Sequence, residues 1–211
     1  MTILKLRDAG VRRATRLPVL AGLPRIGRGT FAAVYDNGNS VLKLTCDRVH
    51  YSMLCDGLAP RGEHFPKVIR DYGEVGEMKG DPLFLVEVEK LTSIHRSSPE
   101  ARTSARKLIK IIEHHWSRTW TPTYLGNQGA GQKNAKLLAG ARFLRALMFD
   151  QNIPEQMRQA FEELSIFVEN FQCGLDFHPA NIMCRGEYAI LNDVVIDDDF
   201  YNERMFGARI T

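Results

Sequence analysis

Near residue 89 the hydrophobic pattern of this chain changes period, which divides the sequence into a strand-forming part and a helix-forming part. Before the change, from Leu23 to about Glu89, apolar residues come in short runs bounded by turn residues: Ala32 to Asp36, Val41 to Thr45, Lys67 to Tyr72 and Leu83 to Val88. A Gly-rich turn at 27 to 29 and the hairpin signal Asn37-Gly38 lie among them, and a single helical candidate, Asp47 to Leu58, interrupts them. Five strands and one helix are expected. After the change, Ser98-Pro99-Glu100 supply an N-cap, a proline at the first helical position and an acid in the first turn, so a helix is expected to about Ser117. A loop with three glycines, Thr121 to Gly131, then separates it from two further helices, about Gln132 to Phe149 and Glu155 to Gln172. In the last, Met157, Phe161, Leu164 and Val168 share one face. The expected fold class is α+β, an antiparallel sheet followed by a mainly helical part. Residues 1 to about 22 are basic and weakly patterned, and read as a short helix or a loose arm.

Composition narrows the partners. Of 211 residues, 44% are hydrophobic, enough for a substantial core. The net charge of +3 comes from 28 basic against 25 acidic residues, not from a dense basic stripe, so no nucleic-acid partner is expected. Cys46, Cys55, Cys173 and Cys184 form no C-x-x-C pair, which argues for reduced thiols and a cytoplasmic setting rather than a disulfide framework or structural zinc. Pro18, Gly22 and Pro24 interrupt the N-terminal apolar stretch, and no run approaches the roughly 18 apolar residues of a membrane span, so neither export nor a membrane is expected. The adjacent pair His114-His115 points to different helix faces and reads as surface histidines, and Asp197-Asp198-Asp199 reads as a solvated charge run rather than a cation site.

Four short stretches carry chemistry. Gly27-Arg28-Gly29-Thr30-Phe31-Ala32-Ala33-Val34 places glycines where a turn can bring backbone N–H groups against phosphate oxygens, although Gly-x-Gly also closes ordinary hairpins. Lys43 sits in the apolar run Val41-Leu42-Lys43-Leu44, either beneath that turn or facing outward as most strand lysines do. Leu175-Asp176-Phe177-His178-Pro179-Ala180-Asn181-Ile182-Met183 contains an aspartate and an asparagine at D-x-x-x-x-N spacing, with a polar helix-to-strand turn as the plain alternative. Twelve positions after Asn181, the apolar run Tyr188-Ala189-Ile190-Leu191 ends at Asn192-Asp193, where a carboxylate could hold a cation.

In this order the stretches resemble the small serine/threonine protein kinases encoded early by podophages, from about Leu23 to about Val195. More distantly, the Asp-x-His-Pro-x-Asn loop is similar to that of aminoglycoside and choline kinases. The resemblance implies a minimal two-lobed kinase-like fold: an N-terminal arm at 1–22, an N-lobe at 23–89 and a truncated C-lobe at 90–211. It implies ATP and Mg2+ as cofactors, and host protein substrates in a host cytoplasm. In that reading Asp176 orients the acceptor hydroxyl, and His178, where many kinases carry lysine, either contacts the transferring phosphate or makes a hydrogen bond within the loop. Asn181 and Asp193 hold magnesium. Gly27, Arg28, Gly29, Thr30, Phe31, Ala32 and Val34 with Lys43 surround the nucleotide phosphates, and Glu87, Glu89 and Leu91 fall in the hinge beside adenine.

The departures from the pattern are informative. The third loop glycine is Ala32, and Gly174-Leu175 precede Asp176 where His-Arg is usual, so control through an activation-loop phosphate is not expected. Asp193-Val194-Val195 stands for Asp-Phe-Gly, and the eighteen residues after Asp193 imply that protein docking uses the helices between 98 and 172. The helix that should give Lys43 a glutamate offers only Asp47 and Asp56. Two alternatives therefore stay open: a small-molecule phosphotransferase, and a nucleotide-binding pseudokinase that inhibits a host protein by binding.

Overall fold

A computed structural model describes residues 8–119 and 130–198, and the chain is α+β, as its periodicity dictates. The first part forms one antiparallel sheet, in the order β1-β2-β3-β5-β4, from β1 (Arg25–Arg28), β2 (Ala32–Asn37), β3 (Ser40–Thr45), β4 (Val68–Met78) and β5 (Asp81–Glu89). The Asn37-Gly38 turn closes β2 on β3, with Asn37 opposite Ser40 and Gly38 at φ +75°, a conformation that costs glycine nothing. Alternation along β3 sends its two faces to different places. Leu42 and Leu44 are fully buried in a cluster with Phe31, Tyr35, Leu83 and Leu85, so Lys43 and Thr45 face the opposite side of the sheet.

Strand β4 is longer than the predicted run at 67–72. Its register against β5 shifts between Val68 and Arg70, Asp71 and Gly73, and Glu74 and Gly76, and each shift resets the inside–outside alternation that sequence reading depends on. The segment read as helix or arm is a helix, α1 (Ala9–Ala14), capped by Asp8, whose carboxylate accepts the Gly10 amide at 2.8 Å. It belongs to the sheet's own core: Val11, Ala14 and Leu20 join the Leu42 and Leu44 cluster. A Cβ on Gly10 would fall 1.6 Å from the Glu77 carbonyl oxygen, so α1 approaches β4 more closely than any other residue at position 10 permits.

The helices of the second part are α3 (Pro99–Thr119), α4 (Ala130–Phe149) and α5 (Glu155–Phe171). Most of the predicted loop at 121–131 lies outside the described residues. Phe143, Leu144, Phe161, Leu164 and Phe167 are fully buried between these helices, and the stripe of Met157, Phe161, Leu164 and Val168 faces inward as its spacing predicts. Among the described residues, five short strands complete this part: β7 (Gly174–Leu175) pairs with β10 (Val195–Ile196), and β8 (Ile182–Arg185) joins β6 (Thr92–Ser93) to β9 (Tyr188–Leu191).

Helix α2 (Arg48–Cys55) and Arg185 are among the features that connect the parts. The helix inserts Met53 into the helical cluster and packs Leu54 on Val86 and Val88 of the sheet. Arg185 reaches from β8 to both oxygens of Glu89 at the end of β5, and to the carbonyls of Glu63 and Phe65 at 2.8 Å. None of the four cysteines is in a disulfide: Cys46 is buried in the sheet cluster, Cys173 and Cys184 in the helical cluster, and Cys55 is half-buried. Among the described residues no helix is long and apolar enough to cross a membrane.

Candidate active site

A cavity of about 340 Å3 opens between the Lys43 and Thr45 face of β3 and the loops around β7, β8 and β10. Residues distant in sequence meet there. Lys43 enters from β3 and is only 7% exposed, which settles its direction: it faces the cavity, not solvent. Asp176 follows β7, and its amide is held by the Val194 carbonyl at 2.8 Å. Asn181 ends a 3-10 turn, Pro179–Asn181, and Asp193 lies between β9 and β10. The β1–β2 turn covers the cavity from above through Gly29, Thr30, Phe31 and Ala32.

The turn is tightly made. The Gly29 amide donates to the Ala32 carbonyl at 2.9 Å, and the Phe31 carbonyl accepts the Cys46 amide at 3.0 Å and the Thr45 hydroxyl at 3.3 Å. Gly29's amide is therefore spent within the turn, which leaves Thr30 at its tip. Gly27 stands in β1 opposite Val34, and a Cβ there would meet Val34 Cβ at 3.3 Å, so this glycine serves strand packing. Gly27, Arg28 and Val34 do not line the cavity.

Inside, the charged groups form two linked sets. Lys43 Nζ is 3.1 Å from Asp193 Oδ2 and 2.6 Å from His50 Nε2, while His50 Nδ1 lies 2.5 Å from Asp193 Oδ1. Burial would push the Asp193 carboxyl up, but the charges of His50 and Lys43 outweigh it and hold the group far below the usual carboxylate range. In the second set, Asn181 Nδ2 donates to the backbone carbonyl and to Oδ2 of Asp176, both at 2.9 Å. Burial raises the Asp176 carboxyl above its ordinary value; the Asn181 hydrogen bond opposes that rise and the nearby Asp193 charge adds to it. His178 lines the cavity but is exposed, and its Nδ1 accepts the Ala180 amide at 3.2 Å, the loop hydrogen bond that was one of its two expected roles.

The hinge residues are placed elsewhere. Glu87 accepts from Ser40 Oγ at 2.5 Å and Asn37 Nδ2 at 2.9 Å, which tie β5 to the β2–β3 hairpin, and hydrogen bonding to Ser40 is the largest cause of its lowered pKa. Glu89 is held by Arg185 and by the Lys67 amide at 2.7 Å, and Leu91 is half-buried between β5 and β6. None of the three lines the cavity. Of the other candidates, His115 is not a free surface histidine: its Nε2 meets Asp150 Oδ2 at 2.8 Å. Asp198 lies 3.8 Å from Lys136, and Asp199 is outside the described residues. A larger cavity of about 520 Å3 beside α2 and β4, among Leu54, Pro60 and Phe65, contains none of the predicted site residues.

Sequence reasoning missed His50 and the role of Asp47. Asp47 is no partner for Lys43; it is the N-cap of α2 and accepts the His50 amide at 2.9 Å. Burial raises its carboxyl above the ordinary value. Asp56 closes the other end of α2. A signal for His50 was present: it lies three and four positions before Met53 and Leu54, on the helix's inward face, directly after the lysine strand.

No family model matches the chain, and no curated protein sequence matches it.

Proposed function

We propose that this chain is an ATP-dependent serine/threonine protein kinase built on a minimal two-lobed kinase-like fold, acting on host proteins as the early podophage enzymes do. The observation that carries this reading is convergence: Lys43, Asp176, Asn181 and Asp193, from three separate stretches of sequence, line one cavity under the β1–β2 turn. Chance grouping of polar residues does not require a buried lysine paired with a carboxylate on the far wall.

In this reading the triphosphate lies beneath the turn, with Lys43 as its cationic partner and Thr30 at the tip above it. The acceptor hydroxyl approaches Asp176, which takes its proton as the oxygen attacks the γ-phosphorus and the bond to the β-phosphate oxygen breaks, releasing ADP. The hydrogen bonds from Asn181 fix the Asp176 carboxylate for this task. The donor set suits magnesium: the Asp193 carboxylate and the Asn181 amide oxygen are hard oxygen ligands, too few alone and completed by phosphate oxygens and water, as that ion prefers. When bound there, magnesium supplies charge neutralisation on the phosphate oxygens.

The test is incubation of purified protein with labelled ATP, magnesium and host lysate. Label in protein bands, lost in Lys43→Ala, is the expected result. Label only in an added aminoglycoside or other small alcohol would move the acceptor class. Nucleotide binding without any transfer would instead favour the pseudokinase, a reading to which the histidine beside Lys43, in place of an acid, lends its support.

A further inference from the structure

We infer that a cavity between the chain before β4 and α5 binds a small aliphatic amine, whose ammonium group donates to His64. The inference is independent of the phosphotransfer reading above and concerns a different part of the molecule.

The cavity measures about 330 Å3 and is lined by Arg61, Glu63 and His64 on one side and by Gln156, Gln159 and Glu163 on the other. The last three recur at three- and four-residue steps along α5, so one helix face presents them together. His64 differs from these exposed neighbours in being only 7% exposed. Its Nδ1 lies 2.8 Å from the Ala189 carbonyl, which can only accept, so the proton of the neutral ring sits there. The ring also meets the Tyr188 ring edge-on, and the His64 carbonyl accepts the Leu191 amide at 2.8 Å, so ring and backbone are both held to β9. Nε2 is left with a lone pair and no protein partner. A buried acceptor without a donor carries a desolvation cost that a ligand can recover.

The lining sets the class of ligand. The Arg61 guanidinium donates to the carbonyls of Leu54 and Asp56 at 2.8 and 3.2 Å, and is thereby occupied at the end of α2. Two carboxylates, two amides and the Nε2 lone pair remain, a set richer in acceptors than donors, so the complementary ligand is a cation bearing several N–H donors. Among the described residues no three His, Cys, Asp or Glu side chains stand close enough to share a metal ion, which favours an organic ammonium over a metal. The volume falls in the range of small-molecule sites and is about ten times the share of one water molecule, so a single bridging water would not fill it.

The probe is 1,4-diaminobutane, with 1,4-butanediol as its uncharged counterpart, each titrated calorimetrically into the full chain without nucleotide or magnesium. Nitrogen-15 NMR reads the His64 ring, assigned by the signal lost in His64→Phe. The diamine should bind about tenfold or more tighter than the diol, and should shift the His64 Nε2 resonance where the diol does not. Glu63 and Glu163 are both exposed, so the double variant Glu63→Gln with Glu163→Gln should fold, and its diamine affinity should fall about tenfold. No diamine binding, equal affinity for the diol, or an unmoved Nε2 resonance would each overturn the inference and leave the cavity to water. Diamine binding that the double variant keeps in full would place the amine elsewhere, among the acids of the catalytic cavity, and would overturn it too. Should His64→Phe fail to fold, the double variant and the two titrations still decide the matter.

Discussion

The charged residues of the cavity divide into those that should act on the nucleotide and those that should act on the acceptor. Lys43→Ala and Asp193→Asn each remove a charge aimed at phosphate or magnesium, so each should weaken magnesium-ATP binding by about tenfold or more, measured by calorimetry. Wild-type affinity and transfer in both variants would refute the assignment. Asp176→Asn should behave differently, since its carboxylate is tied to Asn181 and not to Lys43. Its ATP affinity should stay within about twofold while transfer falls by about 100-fold or more, the usual range for a lost general base. An equal drop in affinity and rate would move Asp176 into the binding set. At this scale the sequence was informative where spacing carries the chemistry, as in Asp176 and Asn181, whose five-residue separation is bridged directly by hydrogen bonds. It was uninformative where a side chain's direction depends on packing. Nothing in Val41-Leu42-Lys43-Leu44 says which face of β3 the lysine takes; Leu42 and Leu44 settle it by entering the sheet's core. His50 was overlooked for the same reason, because a lone histidine in a helix acquires meaning only once two distant charges are brought to it.

Among the elements, α1 and the Arg185 contact are those whose importance composition conceals. Gly10→Val should pry α1 off β4, since its Cβ would collide with the Glu77 carbonyl, and a loss of about 2–3 kcal/mol is expected in urea unfolding, at the upper end for overpacking. An unchanged midpoint would mean that α1 contributes little to the sheet. Weak hydrophobic patterning hid this helix, because its closest contact is a glycine against backbone, which leaves no apolar signature. The contact between Arg185 and Glu89 gives a pH prediction. Burial pushes the Glu89 carboxyl up, but Arg185 and the Lys67 amide outweigh it and hold the pKa below its ordinary 4.5. With the folded-state value depressed, the stabilisation is complete above about pH 4.5 and is lost as pH falls through the folded-state pKa. Glu89→Gln should therefore cost about 1–3 kcal/mol at pH 7, and the difference from wild type should shrink steadily as the solution is acidified below pH 4.5. A difference independent of pH would assign Glu89 a packing role only. Sequence reading ended the last long strand at Val88 and put Glu87 and Glu89 in a hinge, and could not anticipate that both lie within β5 or that Ser40, Asn37, Lys67 and Arg185 already engage their carboxylates.

At the scale of the whole molecule, the division at residue 89 was legible because period 2 and period 3.6 are strong signals, whereas the link between the parts was not, since it depends on α2 serving both. Met53→Ala should reveal that link. Its side chain is 2% exposed within the helical cluster although it belongs to the helix that follows β3, so truncation should cost about 2–5 kcal/mol. A cost below about 1 kcal/mol would mean that the parts cohere without it. Magnesium-ATP at 100 times its dissociation constant should in turn stabilise the wild type by about 2.7 kcal/mol, and Lys43→Ala much less at the same concentration. The distribution of thiols provides a way to observe such effects separately in each part. Cys46 lies in the sheet cluster and Cys173 and Cys184 in the helical one, none of them in a disulfide and all buried, and burial pushes Cys173 up to about 12. A thiolate-seeking alkylating reagent can thus reach them only during opening, and peptide mapping of the label over time would act as two clocks in one chain. Matching rates would mark a single cooperative opening, and a faster Cys46 would mark a sheet that breathes while the helices stay closed.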